Sequence, residues 1–493
     1  MTMSNPVLYA RFHTDDRCYV YDASSNQILE TPRSVWERID TLLQGGWNPG
    51  SPARPDGPAP TSELLLASQE LKQAFEAGYL HPCSIASLQF YPSKQTLQDR
   101  ITSAMPQLTL EVTERCNSRC RYCAYTYDSR RLSEPEDMSI DTALRAVRIF
   151  LAHSGNATSR TISFWGGEPL LRFAMIRDVI RRVADMTDGG TPPSYSFTTN
   201  ATLITDEIAR FLSEHRVKLL VSVDGPADIH DRHRASAQGG GTFEAVMAGL
   251  RRLREVDETY YRSAVWFNCV VARRTRLSEV FDFFRTDDLV RGHRVVYSAA
   301  NAHCTPFHDD YGGLDDDQRD ELRHAFIEVA KRGELTGSND IVAFAVQPLI
   351  PIALRTRSPL GSSPWPNGCC VPLLKKMHVR ANGDVHLCEQ TPYDNCVGNV
   401  DQQGLDFDAA IGLAEEYAAR SLPDCRACWA VRLCSACYRH FMSGRRWSAP
   451  DRAMECERRR GSLLQSLRIY AWIVEQYPRA FDYLKDVKFS FPV

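Results

Sequence analysis

An α/β fold built on a parallel sheet is the class this sequence predicts, and three observations carry it. Between residues 108 and 298, stretches of strand character alternate with stretches of helical periodicity six times, the pattern of repeated β-α units in one parallel sheet. Polar, glycine-bearing motifs follow these strands on their C-terminal side, where parallel α/β folds bind ligands. Cysteines gather in two regions, 116–123 and 369–456, instead of spreading along the chain. Six units fall short of a closed eight-fold barrel, so the expected core is a partial (β/α)6, TIM-like barrel.

Taken in order, residues 7–12 and 18–22 read as short strands, with a turn at Ser24-Ser25-Asn26. Residues 34–43 form a helix with Val35, Trp36, Ile39 and Leu43 on one side. The Pro- and Gly-rich stretch 45–60 is a loop, 63–78 a second helix, and 88–91 a further strand. Residues 1–100 are therefore a small α+β, winged-helix-like module, either for peptide recognition or as a structural extension packing on the next domain. The barrel strands are expected at 108–112, 161–164, 195–199, 219–223, 265–271 and 295–298, with helices such as 139–153, 205–215 and 242–255 between them. The barrel spans 101–310. A helix at 317–332 and the Pro-rich stretch 357–368 make 311–368 a bridge, 369–457 a cysteine-rich domain, and 458–493 a terminal helix and tail.

The chain of 493 residues has room for two to four domains. Its 43% hydrophobic and 24% charged residues are ordinary for a globular protein. A net charge of −3 leaves no footprint for a polyanion, and no basic stripe is interleaved with aromatics, which argues against nucleic acid. Arg458, Arg459 and Arg460 read as a solvated helix face. The first residues lack the charged and apolar regions of a signal peptide, and no apolar run is long enough for a membrane span. A cytoplasmic location is expected, where 16 cysteines serve as metal ligands and not as a disulfide framework.

Cys116, Cys120 and Cys123 stand at C-x3-C-x2-C directly after the first barrel strand, with Tyr122 before the last. Three thiolates are one short of what a [4Fe-4S] cubane takes, which leaves one iron for a small chelating molecule. Zinc would want a fourth ligand. Gly166-Gly167-Glu168-Pro169 follows the second strand, Thr199-Asn200-Ala201-Thr202 ends the third, and Ser222-Val223-Asp224-Gly225 ends the fourth. These motifs, in this order, resemble those of the radical SAM family, with Ala201 in place of the usual glycine. The resemblance implies that Glu168 and its glycines bind the amino group of S-adenosylmethionine. It also implies that Thr199, Asn200, Ser222 and Asp224 line the cofactor, and that Pro169 belongs to the same motif. Arg234 is a candidate partner for the SAM carboxylate, and Val271 a candidate apolar contact to adenine.

The second cysteine region runs Cys370-x12-Gly383-x4-Cys388, then Cys425-x2-Cys428-x5-Cys434-x2-Cys437, then Cys456. This resembles the SPASM extension, which binds two auxiliary [4Fe-4S] clusters. By that resemblance Cys425, Cys428, Cys434 and Cys456 hold the distal cluster, and Cys370, Cys388 and Cys437 the proximal one. Cys369, Cys304, Cys396 or substrate would supply the fourth proximal ligand. Two C-x2-C pairs are also a zinc signature. Glu389, next to Cys388, occupies the place of an acid that takes a substrate proton in sulfatase-maturing relatives, so it is a candidate general base. His303, His308 and Tyr297 are candidates to line the substrate pocket, and Cys18, Cys83 and Cys269 read as core.

The resemblance covers residues 108–456 and implies a radical SAM/SPASM enzyme. An electron reaching the cluster from a flavodoxin- or ferredoxin-type donor cleaves SAM, and the 5′-deoxyadenosyl radical takes hydrogen from an unactivated carbon. The implied substrate is a ribosomally made precursor peptide that acquires a carbon–carbon, ether or thioether cross-link or another oxidative change. The alternatives are a formylglycine-making sulfatase maturase and, outside catalysis, an iron–sulfur or zinc-binding electron-transfer scaffold.

Overall fold

Alternating strand and helix do fold as one parallel sheet. The computed structural model describes residues 5–44, 62–89, 93–187, 191–300, 306–307, 309–311, 313–336, 340–365, 370–390, 395–437, 442–443 and 446–485. The chain divides into two compact units, one built from Met1–Lys94, Pro348–Val371 and Ile411–Asp486, the other from Gln95–Gln347 and Pro372–Ala410. Within the stretch 369–457, Pro372–Ala410 falls in the second unit and the flanking segments in the first. Among the described residues no helix is long and apolar enough to cross a membrane.

The first unit opens with three antiparallel strands, β1 (Tyr9–His13), β2 (Cys18–Asp22) and β3 (Gln27–Thr31). The turn expected at Ser24-Ser25-Asn26 leads into β3, a strand the sequence reading lacked. Side chains alternate across a strand, and β2 is covered on both faces. Val20 packs with Val35, Ile39, Leu42, Ala67 and Leu71 of the helices Arg33–Gln44 and Ser62–Glu76. Tyr19 and Tyr21 face the other way, into a core shared with Val431, Leu433, Leu467 and Ala471. Leu467 and Ala471 lie on the helix Ala449–Gln476. Arg458 and Arg459 on that helix pair with Glu455 at 2.7 Å.

The second unit carries six parallel strands in sequence order: β4 (Gln107–Thr113), β5 (Thr161–Gly166), β6 (Ser194–Thr199), β7 (Lys218–Ser222), β8 (Val265–Val271) and β9 (Val295–Ala299). All six match the expected segments to within two residues. Some of the intervening helices start on a side-chain cap: Ser139 Oγ accepts from Thr142 N at 3.0 Å, and Thr205 Oγ1 from Ile208 N at 3.3 Å. β4 is buried along its whole length. Leu108, Leu110 and Val112 alternate there with Gln107, Thr109 and Glu111, whose polar face continues onto β5 and β6 through Gln107–Ser163 (3.0 Å) and Ser163–Ser196 (2.8 Å) hydrogen bonds. Beyond β4 the sheet gains β10 (Met377–Val379), parallel to it, and β11 (Val385–His386), antiparallel to β10. Tyr297 is buried against Phe281, Phe284 and Phe344 and belongs to the core, not to a pocket.

Candidate active site

The C-terminal ends of β4 to β8 converge on a cavity of ≈ 520 Å³, within the range of about 300–1,000 Å³ usual for small-molecule sites. Cys116, Cys120, Cys123 and Tyr122 reach it from the loop after β4. Gly166, Gly167 and Glu168 reach it from β5, Thr199 and Asn200 from β6, and Ser222 and Arg234 from β7 and the segment beyond it. Tyr122, Gly166, Gly167, Glu168, Thr199, Asn200, Ser222 and Arg234, expected from separate motifs, therefore share one hollow, while Pro169, Asp224 and Val271 are not among the residues that line it.

The two glycines serve the protein's own backbone. A Cβ on Gly166, whose φ is +140°, would lie 2.0 Å from the Thr113 carbonyl oxygen, and one on Gly167 would lie 2.1 Å from that of Arg115. The N–H groups of Gly167 and Glu168 donate to those same carbonyls at 2.9 Å. The close approach needed here is between β5 and the cysteine loop, which it positions.

Glu168 is buried and accepts on both carboxylate oxygens. One carboxylate oxygen accepts from Thr199 Oγ1 (2.7 Å) and Leu170 N (3.0 Å), the other from Asn200 N (2.8 Å). Burial raises its pKa, opposed by those donors, so a cationic ammonium alongside would favour the ionised form. The Asn200 side chain donates to Asn117 Oδ1 at 2.8 Å and to Ser118 Oγ at 3.2 Å, joining the end of β6 to the cysteine loop. Ala201 holds φ 58°, the left-handed region that explains why glycine is usual there. Pro169 opens the short helix that Glu168 caps.

Arg234 is turned onto Asp224, at 2.7 and 3.2 Å in a two-pronged pair, with a further contact of 3.9 Å to Cys120 Sγ. Asp224 also accepts from Tyr122 Oη (2.7 Å) and Val270 N (2.9 Å). Burial pushes Asp224 toward its neutral form, but the Arg234 guanidinium, helped by the Tyr122 hydrogen bond, outweighs it and holds the carboxyl below its usual range. Asp224 and Arg234 together thus brace Tyr122 and β8 behind the cysteine loop. The expectation for Val271 is corrected by one residue. With a strand period of two, Asn268 and Val270 line the cavity while Val271 is buried on the opposite face. Asp231 caps the helix Phe243–Val256, accepting from Thr242 N and Phe243 N.

Burial pushes the Cys116 thiol up to about 11 and the Cys120 thiol up to about 12, so binding metal there releases protons. Among the described residues, the three thiols are not drawn into a group with ligand atoms all within 4.8 Å of one another. A single ion would require that; the larger cubane does not. The donor set fits an iron–sulfur cluster with one open iron. In the first unit Cys425, Cys434 and Cys456 are raised by burial, each with another thiol of the Cys425, Cys428, Cys434, Cys456 set among its neighbours. Arg452 donates to Cys425 Sγ at 3.5 Å. Cys370 and Cys437 lie in the same unit, and Cys388 and Cys396 in the other. Cys369, Cys304, His303 and His308 lie outside the described residues.

Glu389 is not a bare surface acid. Its carboxylate pairs with Lys376 Nζ at 2.6 Å, and its backbone oxygen accepts from Tyr125 Oη at 2.9 Å. Tyr125 lines the cavity with Trp165 and Arg131. The Arg131 guanidinium stacks 3.9 Å from the Tyr125 ring and pairs with buried Glu111 at 2.6 Å. Sequence reasoning missed Tyr125, Trp165, Arg131 and Lys376. Tyr125, two residues past Cys123, and Trp165, just before the glycine pair, stood inside the motifs already noticed; Lys376 offered no local signal.

Residues 110–274 match the family described as the Radical SAM superfamily. Among curated proteins, a cysteine-type anaerobic sulfatase-maturating enzyme of Clostridium novyi is 27% identical over 190 residues, 38% of this chain and 49% of that protein. The radical SAM cyclopropyl synthase TigE of Paramaledivibacter caminithermalis is 27% identical over 224 residues, 42% of this chain and 44% of that one. The chain thus spans about half the length of these relatives. A solved structure described as native anSMEcpe with bound AdoMet and Cp18Cys peptide superposes with a TM-score of 0.53 at 21% identity, over 78% of this chain and 100% of that one. It shares the fold.

Proposed function

We propose that this radical SAM enzyme, recognised by its domain at residues 110–274, modifies a side chain of a ribosomally made precursor peptide, leaving a cross-link or another oxidative change. The observation that carries the proposal is the convergence of Cys116, Cys120, Cys123, Glu168, Asn200 and Arg234 on one cavity, which Tyr125 connects to the Lys376–Glu389 pair. A [4Fe-4S] cluster with SAM supplies one-electron reductive cleavage and hydrogen abstraction when bound. The chain's own residues do the rest. The three thiols would hold the cluster, Glu168 would orient the cofactor's amino end, and Asn200, Tyr122, Asp224 and Arg234 brace the cysteine loop. Glu389 stands ready to accept a proton as the product forms.

Cys425, Cys428, Cys434 and Cys456 would hold one auxiliary cluster, and Cys370, Cys388 and Cys437 take part in a second, as the SPASM spacing implies. A flavodoxin- or ferredoxin-type protein would deliver the electron. The three-stranded module ahead of the barrel, not needed for SAM chemistry, supports recognition of a peptide leader. The sulfatase-maturating relatives favour a second reading, formylglycine formation on a Cys or Ser of a sulfatase.

Reconstituted anaerobically, the protein should convert SAM to 5′-deoxyadenosine with reductant. The variant with Cys116, Cys120 and Cys123 all replaced by Ala should make none while keeping its auxiliary iron. Normal SAM cleavage in that variant would sink the assignment. Mass analysis of candidate precursor peptides beside a sulfatase-derived peptide separates the two readings by which one changes mass.

A further inference from the structure

Away from the cavity, three side chains of different chemistry meet beside the β10–β11 hairpin. The Asp384 carboxylate, the His386 imidazole and the Cys396 thiol each offer a ligand atom, and these atoms lie within 4.8 Å of one another. Among the described residues this is the one group of three or more such side chains so close.

The backbone brings them together. Asp384 and His386 are two apart on an extended segment and so share a face. Cys396 arrives on a segment whose Val397 N donates to Val385 O at 2.7 Å, and Asn399 bridges to Asp384. The carboxylate is aimed by two amides: Asn399 Nδ2 donates to one oxygen at 2.9 Å and Asn382 Nδ2 to the other at 2.8 Å. Each oxygen keeps a lone pair for a metal, and such outer hydrogen bonds are what orient metal-binding carboxylates. His386 is fully buried, while Asp384 and Cys396 are half-buried, so the group is walled yet reachable.

We propose that Asp384, His386 and Cys396 bind a single divalent ion of zinc type, separate from any iron–sulfur cluster. One oxygen, one nitrogen and one sulfur donor suit a borderline-soft ion. Tetrahedral zinc sets such atoms about 3.3–3.6 Å apart, a contraction of at most about 1.5 Å from separations that all lie within 4.8 Å. Cys396 now donates its thiol proton to the Gly398 carbonyl at 2.7 Å. Binding exchanges that S–H for a sulfur–metal bond and releases the proton to water. Water or a backbone carbonyl completes the coordination. The ion would pin the segment at Cys396 to the hairpin that leads to Cys388 and Glu389, and it removes Cys396 from the candidates for a cluster's fourth ligand.

The test is metal analysis and zinc-edge X-ray absorption on the full chain, reconstituted with iron and sulfide, supplied with zinc and then desalted. We expect one zinc per chain with a single sulfur neighbour, lost in Cys396→Ser and in Asp384→Asn with iron content unchanged. Failure of the intact protein to retain zinc, or zinc surrounded by several sulfurs, overturns the proposal. So does a loss of about four irons per chain in Cys396→Ser, which would put Cys396 on a cluster. If Cys396→Ser does not fold, the intact protein's spectrum and Asp384→Asn still decide.

Discussion

Ala201 sits at φ 58° with its N–H donating to Thr199 Oγ1 at 2.9 Å. A left-handed alanine costs about 1–2 kcal/mol, and glycine would return about 0.5–1 kcal/mol of that through the entropy of the unfolded chain. Ala201→Gly should therefore stabilise the protein by somewhat less than about 1 kcal/mol, read as a higher urea midpoint at unchanged slope. A lower midpoint would show that the strain is absent. The departure from the motif was visible in the sequence, but its cost was not, because φ is fixed by the turn and not by the letter. Glu389 was legible as an acid beside a cysteine, while Lys376 at 2.6 Å was not. As the general base we propose, Glu389 lost to Gln should slow peptide modification by about 10²–10⁴-fold. Substrate-free SAM cleavage should be spared. Equal product rates, with all clusters present, would leave the Lys376–Glu389 pair a structural contact only.

At the scale of elements, the six barrel strands were readable because they alternate with amphipathic helices. β3 and β10 were not: β10 has three residues, and it is a strand only because β4 lies beside it, some 270 residues earlier in the chain. The glycine pair was legible as a motif, but its partner was not. A methyl group on Gly167 would meet the Arg115 carbonyl at 2.1 Å and Cys116 N at 2.9 Å, backbone that cannot swing aside. Gly167→Ala should destabilise the protein by about 1–3 kcal/mol, as overpacking does. It should also lower the iron retained after reconstitution, because the loop that moves carries Cys116. Unchanged iron and thermal midpoint would place the strain elsewhere.

For the whole molecule, stability should depend on pH through its buried imidazoles. His230 is held neutral. Its Nδ1 accepts from Asp224 N at 3.3 Å, its Nε2 meets Thr242 Oγ1 at 3.0 Å, and burial drops its pKa to about 4. Burial lowers His378 and His386 in the same direction. From about pH 6.5 down to about 4 the unfolded chain binds a proton at His230 that the folded protein refuses. Stability should then fall with falling pH by about 1.4 kcal/mol per unit for this group. Urea midpoints between pH 7 and 5 would show it, with a shallower slope in His230→Gln; identical slopes would mean that His230 is not what the acid limb reports. The division into units was the least legible feature, since nothing local says that residues 8–23 and 431–471 share a core.

That shared core sets an order of events during synthesis. The run Gln95–Gln347 holds all six barrel strands and can begin to collapse as it leaves the ribosome. β1 and β2 cannot be completed so early, because the apolar face bearing Phe12, Tyr19 and Tyr21 finds Leu467 and Ala471 only once those much later residues have been made. At about 5–20 residues per second, that face waits roughly 20–90 s. Through that interval the nascent protein presents strand edges and aromatic surface to whatever binds them first.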